Sequence, residues 1–158
     1  GYQPLAAVIA RAPVAECLAA SGFAHGHTYI GHATACAAGL AVLDVIEDDD
    51  LLEQTRQRGV ELFREITGAF RDHPNVGDIR QHGMTMAIEM VKDKASKTPF
   101  PWQERRGIRV YKHSLTRQAL LRPLGNVLYF MPPYVITEEQ IRHLAQVATE
   151  GIEIAVKD

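Results

Sequence analysis

The chain has 158 residues, 46% of them hydrophobic and 23% charged, with a formal net charge of −2. This is the composition of an ordinary globular domain, or of a core plus a piece of a second one. It gives no electrostatic basis for binding nucleic acid or an anionic membrane, and no apolar run approaches the 18 or so residues that span a bilayer.

Two cysteines, Cys17 and Cys36, lie in apolar surroundings. They are expected to be buried, reduced thiols of a cytoplasmic protein. No signal peptide is expected before the first element. The chain opens on Gly1-Tyr2 inside patterned sequence, so a fragment of a longer protein is expected.

Residues 2 to 11, YQPLAAVIAR, read as a short apolar strand. Pro13 to Ala20 reads as a short helix with proline at its front, where a missing N–H costs nothing, and Ser21-Gly22 ends it. A loop from His25 to Gly31 follows. A helix is then expected from about His32 to Ile46, where Ala33, Cys36, Ala37, Leu40 and Leu43 recur at three- and four-residue spacing. Its small residues imply close approach to another backbone or subunit. The acidic run from Glu47 to Asp50 is read as a solvated junction rather than a metal site.

Asp50 and Glu53 suggest a capping box for a helix from Leu51 to Phe70, whose apolar face is Leu52, Leu62, Phe63, Ile66 and Phe70. From Val76 to Val91 two strands are expected, joined at Gln81-His82-Gly83. Met84, Met86, Ile88 and Met90 alternate with Thr85, Ala87 and Glu89, so one face is buried. Lys92 to Trp102 reads as a polar loop, and Gln103 to Leu120 as a helix. The segment from Leu121 to Met131 is a hairpin turning at Gly125-Asn126. Pro132-Pro133 stops the second strand, and Thr137 with Gln140 caps the last helix, which turns Ile141, Leu144, Ala148, Ile152 and Ala155 inward. The order of elements from about residue 45 predicts an α+β domain with helices against one mainly antiparallel sheet.

His25, His27 and His32 lack the i, i+4 spacing of a helical histidine metal site, and no cysteine or carboxylate completes the set. No nucleophile elbow, P-loop or dinucleotide fingerprint is present. Two features remain. A loop carrying Gly26, His27 and Thr28 runs into a helix start, where free backbone N–H groups suit a phosphate. Arg122 sits in a hairpin that can aim a bidentate guanidinium, with the aromatic Tyr129 further along.

The stretch HGHTYIGH resembles the phosphate-contact segment of the class III pyridoxal-phosphate-dependent aminotransferases, whose H-G-x-T-[FY] threonine reaches the cofactor of the neighbouring subunit. The opening GYQPLAA is similar to the residues just after that family's cofactor-bonding lysine, K-x-x-x-G-G-Y-x-P. LLRPLGNVLYFMPPYVIT resembles the C-terminal segment of the family's biotin-synthesis branch, and HATACAAGLAVLDVIE and MAIEMVKDK also fit. The chain departs from the family at His27, often proline, and at His32-Ala33, often Asn-Pro.

The resemblance implies a fold-type I transferase, with the C-terminal small α+β domain at residues 48–158. It implies that residues 1–31 are the end of the large cofactor-binding domain and 32–47 a connecting helix. It implies pyridoxal 5'-phosphate as cofactor, a homodimer that shares the cofactor site between subunits, and small-molecule substrates. Thr28 and His27 would bind the cofactor, with Gly26 beside the substrate. Arg122 would bind the carboxylate of 8-amino-7-oxononanoate, and Tyr129 would lie near the amino donor, S-adenosylmethionine. The cofactor-bonding lysine would precede Gly1, so no catalytic residue is expected here, and these 158 residues alone are expected to be inactive. The alternatives are another class III aminotransferase, acting on ω-amino acids or amines, and a stand-alone α+β interaction module.

Overall fold

In the computed structural model, which describes residues 2–157, the chain divides into two units between Leu51 and Leu52.

The first unit is helical. Its opening segment, expected as a strand, has no strand geometry. Val8 and Ile9 are 98% and 96% exposed, and a strand with no neighbour leaves its N–H and C=O groups unpaired and its apolar side chains wet. Helix α1 (Ala12–Ala20) carries proline in its first turn. It ends in a Schellman motif: Gly22 takes φ +72°, its N–H donates to Ala19 O, and the Phe23 N–H donates to Leu18 O. Helix α2 (Ala33–Asp48) is capped by His32, whose Nδ1 accepts from the Ala35 N–H at 3.3 Å. Only Ala35 is buried among this unit's described residues. The expectation of buried thiols is therefore corrected, because Cys17 and Cys36 are both exposed. Their helices are apolar, but no described residue of the unit covers the two thiols.

The second unit has a conventional core. Helix α3 (Leu51–Phe70) buries Gly59, Leu62, Ile66 and Phe70, while Leu52 and Phe63 stay exposed. Its apolar stripe is thus narrower than the sequence suggests. The expected Asp50–Glu53 capping box does not form: Asp50 is left-handed at φ +47°, and the Glu53 carboxylate accepts from Arg56 and Gln57 instead. Beyond the other end of α3, Lys94 Nζ donates to the carbonyls of Arg71 and His73.

Strands β1 (Val76–His82) and β2 (Thr85–Asp93) form the expected hairpin, with Ile79 opposite Ile88 and Arg80 opposite Ala87. Met84, Met86, Ile88 and Met90 are buried. A two-residue strand, β3 (Thr98–Pro99), adds to β2. It is too short and too proline-bound to show in a hydropathy pattern. Helix α4 (Arg106–Thr116) is shorter than expected. Arg105, left-handed at φ +49°, separates it from a 3-10 turn over Trp102–Glu104, and Gln118, also left-handed, lies beyond its end.

Strands β4 (Arg122–Leu124) and β5 (Val127–Phe130) form the second hairpin, with Gly125 at φ +61°. Helix α5 (Glu138–Val156) has the expected Thr137–Gln140 capping box, in both directions. The sheet is antiparallel in the order β1-β2-β5-β4. One face, with Ile88, Leu128 and Phe130, joins Leu62, Ile66, Phe70, Val110, Ile141 and Ile152 from α3, α4 and α5 in a single buried cluster. Each such fully buried side chain is worth about 1.5–3 kcal/mol relative to exposure. The opposite face of the sheet carries the polar residues that matter below.

Candidate functional site

In the first unit, the candidate residues lie on the loop before α2. Thr28 opens a turn whose geometry is fixed by two backbone bonds, Ile30 N–H to His27 O at 3.0 Å and His32 N–H to Tyr29 O at 3.1 Å. Gly31 supplies the left-handed residue, at φ +68°. Rings pack along the loop. Phe23 stacks on His25 at 5.4 Å, His25 meets His27 edge-on at 4.8 Å, and Tyr29 meets His32 at 5.7 Å.

His27 lines an open cleft of about 430 Å³ together with Leu5, Tyr29, Gly31, His32 and Ala35. Gly26 and Thr28 are on the loop but not in the cleft wall. Thr28 is exposed, and its hydroxyl makes no hydrogen bond among the described residues. The helix cap is His32 rather than Thr28, which leaves the threonine hydroxyl uncommitted. No acidic residue occurs between Glu16 and Asp44, so the segment presents donors and no competing negative charge. Among the described residues, no group of three or more histidine, cysteine or acidic side chains could hold a metal ion.

In the second unit, the candidates lie on the sheet face away from the core. Arg122 and Tyr129 are direct partners across the β4–β5 ladder, and the guanidinium carbon lies 5.9 Å from the centre of the tyrosine ring. This is a cation–π arrangement at the outer limit of useful distance. Tyr129 in turn faces Ala87, and Ala87 faces Arg80.

The two arginines of this face differ. Arg80 Nη1 donates to Asp78 Oδ2 at 2.6 Å and Glu89 Oε2 at 2.9 Å. Hydrogen bonding to Glu89, then to Asp78, raises its pKa further. Arg122 is exposed and has no carboxylate partner among the described residues. Its planar fork is therefore available to an incoming carboxylate.

The sequence reading missed how the hairpin is held. Asn126 is more than a turn residue: its Nδ2 donates to Phe100 O at 2.7 Å, and its carbonyl accepts from the Met90 N–H at 2.9 Å. The Gly-Asn dipeptide signals a turn, but nothing in it names the carbonyl 26 residues earlier.

The family pattern described as "Aminotransferase class-III" matches residues 1–152. The adenosylmethionine-8-amino-7-oxononanoate aminotransferase of Geobacter sulfurreducens is 40% identical over 161 residues, which cover 99% of this chain and 34% of that protein. Among solved structures, the enzyme of that name from Methanocaldococcus jannaschii superposes with a TM-score of 0.76 at 36% identity, covering 82% of this chain and 29% of that one. The ω-transaminase of Pseudomonas jessenii in complex with PMP superposes with a TM-score of 0.80 at 29% identity, covering 90% and 31%. The chain thus spans about a third of the length of the curated relatives it matches. Among the described residues, no helix is long and apolar enough to cross a membrane. By the extent of the family match and by its fold, this chain belongs to the class III aminotransferases.

Proposed function

We propose that the chain is the C-terminal part of a pyridoxal-phosphate-dependent aminotransferase. The proposed enzyme moves an amino group from S-adenosylmethionine to 8-amino-7-oxononanoate, giving 7,8-diaminononanoate for biotin synthesis. In this reading residues 1–31 end the large domain, 32–47 connect, and 48–158 form the small domain. The enzyme is a cytoplasmic homodimer whose cofactor site is shared between subunits. An uncovered α2 rich in small residues supports a partner there, and two exposed thiols suit a reducing compartment.

The observation that carries the reading is the contrast on the outer sheet face. Arg80 is neutralised by two carboxylates, whereas Arg122 has an aromatic neighbour and, among the described residues, no counter-ion. A substrate with a carboxylate far from its reacting ketone needs such a remote anchor to fix its register. Arg122 supplies two parallel N–H donors for it, and Tyr129 bounds the same side chain.

The residues of the loop fit the cofactor's phosphate. The Thr28 hydroxyl is uncommitted, the segment has no acidic side chain, and a helix start follows. When bound, pyridoxal phosphate supplies the electron sink of transamination. Thr28 and His27 would hold the phosphate, and Gly26 would lie beside the substrate. In this reading none of the lysines here makes the cofactor bond; Lys94 Nζ is engaged by the Arg71 and His73 carbonyls.

The test is an assay of the full-length enzyme with S-adenosylmethionine and 8-amino-7-oxononanoate, followed by detection of the diamine. Formation of 7,8-diaminononanoate supports the reading. Turnover confined to simple amines or ω-amino acids would assign the chain to the ω-transaminase branch instead.

A further inference from the structure

We propose that Gly107 and Asn126 are positioning residues for Arg122, setting the direction in which its guanidinium points. The proposal rests on the reading of Arg122 as a carboxylate anchor.

Arg122 is exposed at the start of β4, so its own packing does not aim it. Direction must come from the hairpin. That hairpin is small, three residues paired with four, and β4, which carries Arg122, is the sheet's edge strand, paired among the described residues only to β5. The hairpin's turn is held by neighbours.

Gly107 lies in the first turn of α4 and is buried. Its backbone is ordinary helix, so no left-handed geometry requires glycine there. Space does. A Cβ at this position would overlap the Gly125 carbonyl oxygen and lie 2.6 Å from Pro123 Cβ. Neither group is the flexible end of a side chain. One is backbone and the other a proline ring next to Arg122, so an added methyl must move the hairpin or the helix.

Asn126 ties the same turn to a second segment. Its amide reaches Phe100 O at 2.7 Å, and Phe100 is itself held, with the Arg106 guanidinium carbon 4.3 Å from its ring centre. Arg106 is buried and bonded to Glu104 and to Ala155 O. A chain of fixed contacts thus runs from the end of α5 through Arg106, Phe100 and Asn126 to the hairpin that carries Arg122. A long side chain magnifies any tilt at its base, and a misplacement of about 1 Å can cost about 100-fold in rate.

The experiment compares 8-amino-7-oxononanoate with its methyl ester as acceptor in the full-length enzyme. The readout is the ratio of kcat/KM for acid over ester, a ratio that a general loss of stability does not change. Arg122→Ala should collapse it toward unity. Gly107→Ala should lower it by about 10- to 100-fold and Asn126→Ala by about 3- to 10-fold, both with Arg122 intact. Adding Gly107→Ala to Arg122→Ala should lower it no further, because the two changes act through one contact.

If Arg122→Ala leaves the ratio unchanged, the anchor reading fails and this proposal fails with it. If Arg122→Ala collapses the ratio while Gly107→Ala and Asn126→Ala slow acid and ester equally, the anchor stands and the positioning claim is overturned. Should Gly107→Ala not fold, Asn126→Ala, which removes only a tether, decides the question by the same ratio.

Discussion

Beyond Leu52 the chain closes over its apolar side chains, with Leu62, Ile66, Phe70, Ile88, Leu128 and Ile152 essentially inaccessible. Before Leu51 it does not, and Tyr2, Val8 and Ile9 are almost fully exposed, with Leu40, Leu43 and Phe23 more than half so. Both units contain well-formed helices with recognisable caps. The difference shows that caps and periodicity are enough to specify where a helix begins and ends, while burial needs a second surface. In the first unit that surface is not among the unit's own described residues, and the proposed function assigns it to the rest of the enzyme and to a partner subunit.

The largest expected effect tests this difference directly. Ile152→Ala empties a fully buried position and should cost about 2–5 kcal/mol in urea unfolding of the chain. Leu40→Ala, at a position 63% exposed, should cost no more than about 0.5 kcal/mol. Equal costs would mean that α2 is packed in solution and would break the comparison. On the proposed reading Leu40→Ala should become costly in the full-length enzyme, where further residues would cover α2.

Thr28→Ala comes next. It removes one hydroxyl donor to a dianionic phosphate, a charge-assisted bond of roughly 1.5–3 kcal/mol. Cofactor affinity of the full-length enzyme should fall by about one to two decades in an equilibrium titration. An unchanged dissociation constant would return Thr28 to service as a turn residue.

Which of these features could be read from the sequence depended on how far each signal reaches along the chain. The Thr137–Gln140 box, the β1–β2 alternation and the Gly125 turn are local, and all three appear as read. The Asp50–Glu53 box is also local, yet Asp50 turns left-handed and the Glu53 carboxylate accepts from Arg56 and Gln57 one turn on instead. The burial of Cys17 and Cys36 was misjudged because hydropathy reports what a side chain prefers, not whether a cover exists. The bracing of the RPLG hairpin by Gly107, Phe100 and Asn126 depends on contacts between distant segments, which composition and spacing do not encode. Among the candidate residues of the two units, the residue types at Thr28, Arg122 and Tyr129 could be read from the sequence. The neutralisation of Arg80, which singles out Arg122 by contrast, became visible only with the strand register.

Two smaller effects sharpen the account of the second unit. Thr137→Ala removes the α5 cap and should cost about 1 kcal/mol in the same unfolding experiment. The smallest effect concerns Glu150 on α5, which accepts from Gln146 and pairs with His113 and Arg117. Its pKa is lowered, first by the Gln146 hydrogen bond and then by that from His113. A carboxylate lowered on folding contributes stability above its unfolded pKa, and that contribution fades as pH falls through the folded value. Wild-type stability should therefore decline slightly more than that of Glu150→Gln as pH falls through and below the ordinary carboxylate range. Parallel pH profiles would show that the pairing is too exposed to matter.

The central claim is that Arg122 is a carboxylate anchor, and separate half-reactions of the full-length enzyme, followed by cofactor absorbance, test it most directly. Arg122→Ala should weaken the keto-acid half-reaction by roughly 30- to 1000-fold, the cost of a charged hydrogen-bond pair, and Arg122→Lys should weaken it less, because charge remains without the fork. The S-adenosylmethionine half-reaction should change much less in both variants. Equal losses in the two half-reactions would place Arg122 in the support of the fold or cofactor and contradict the anchor.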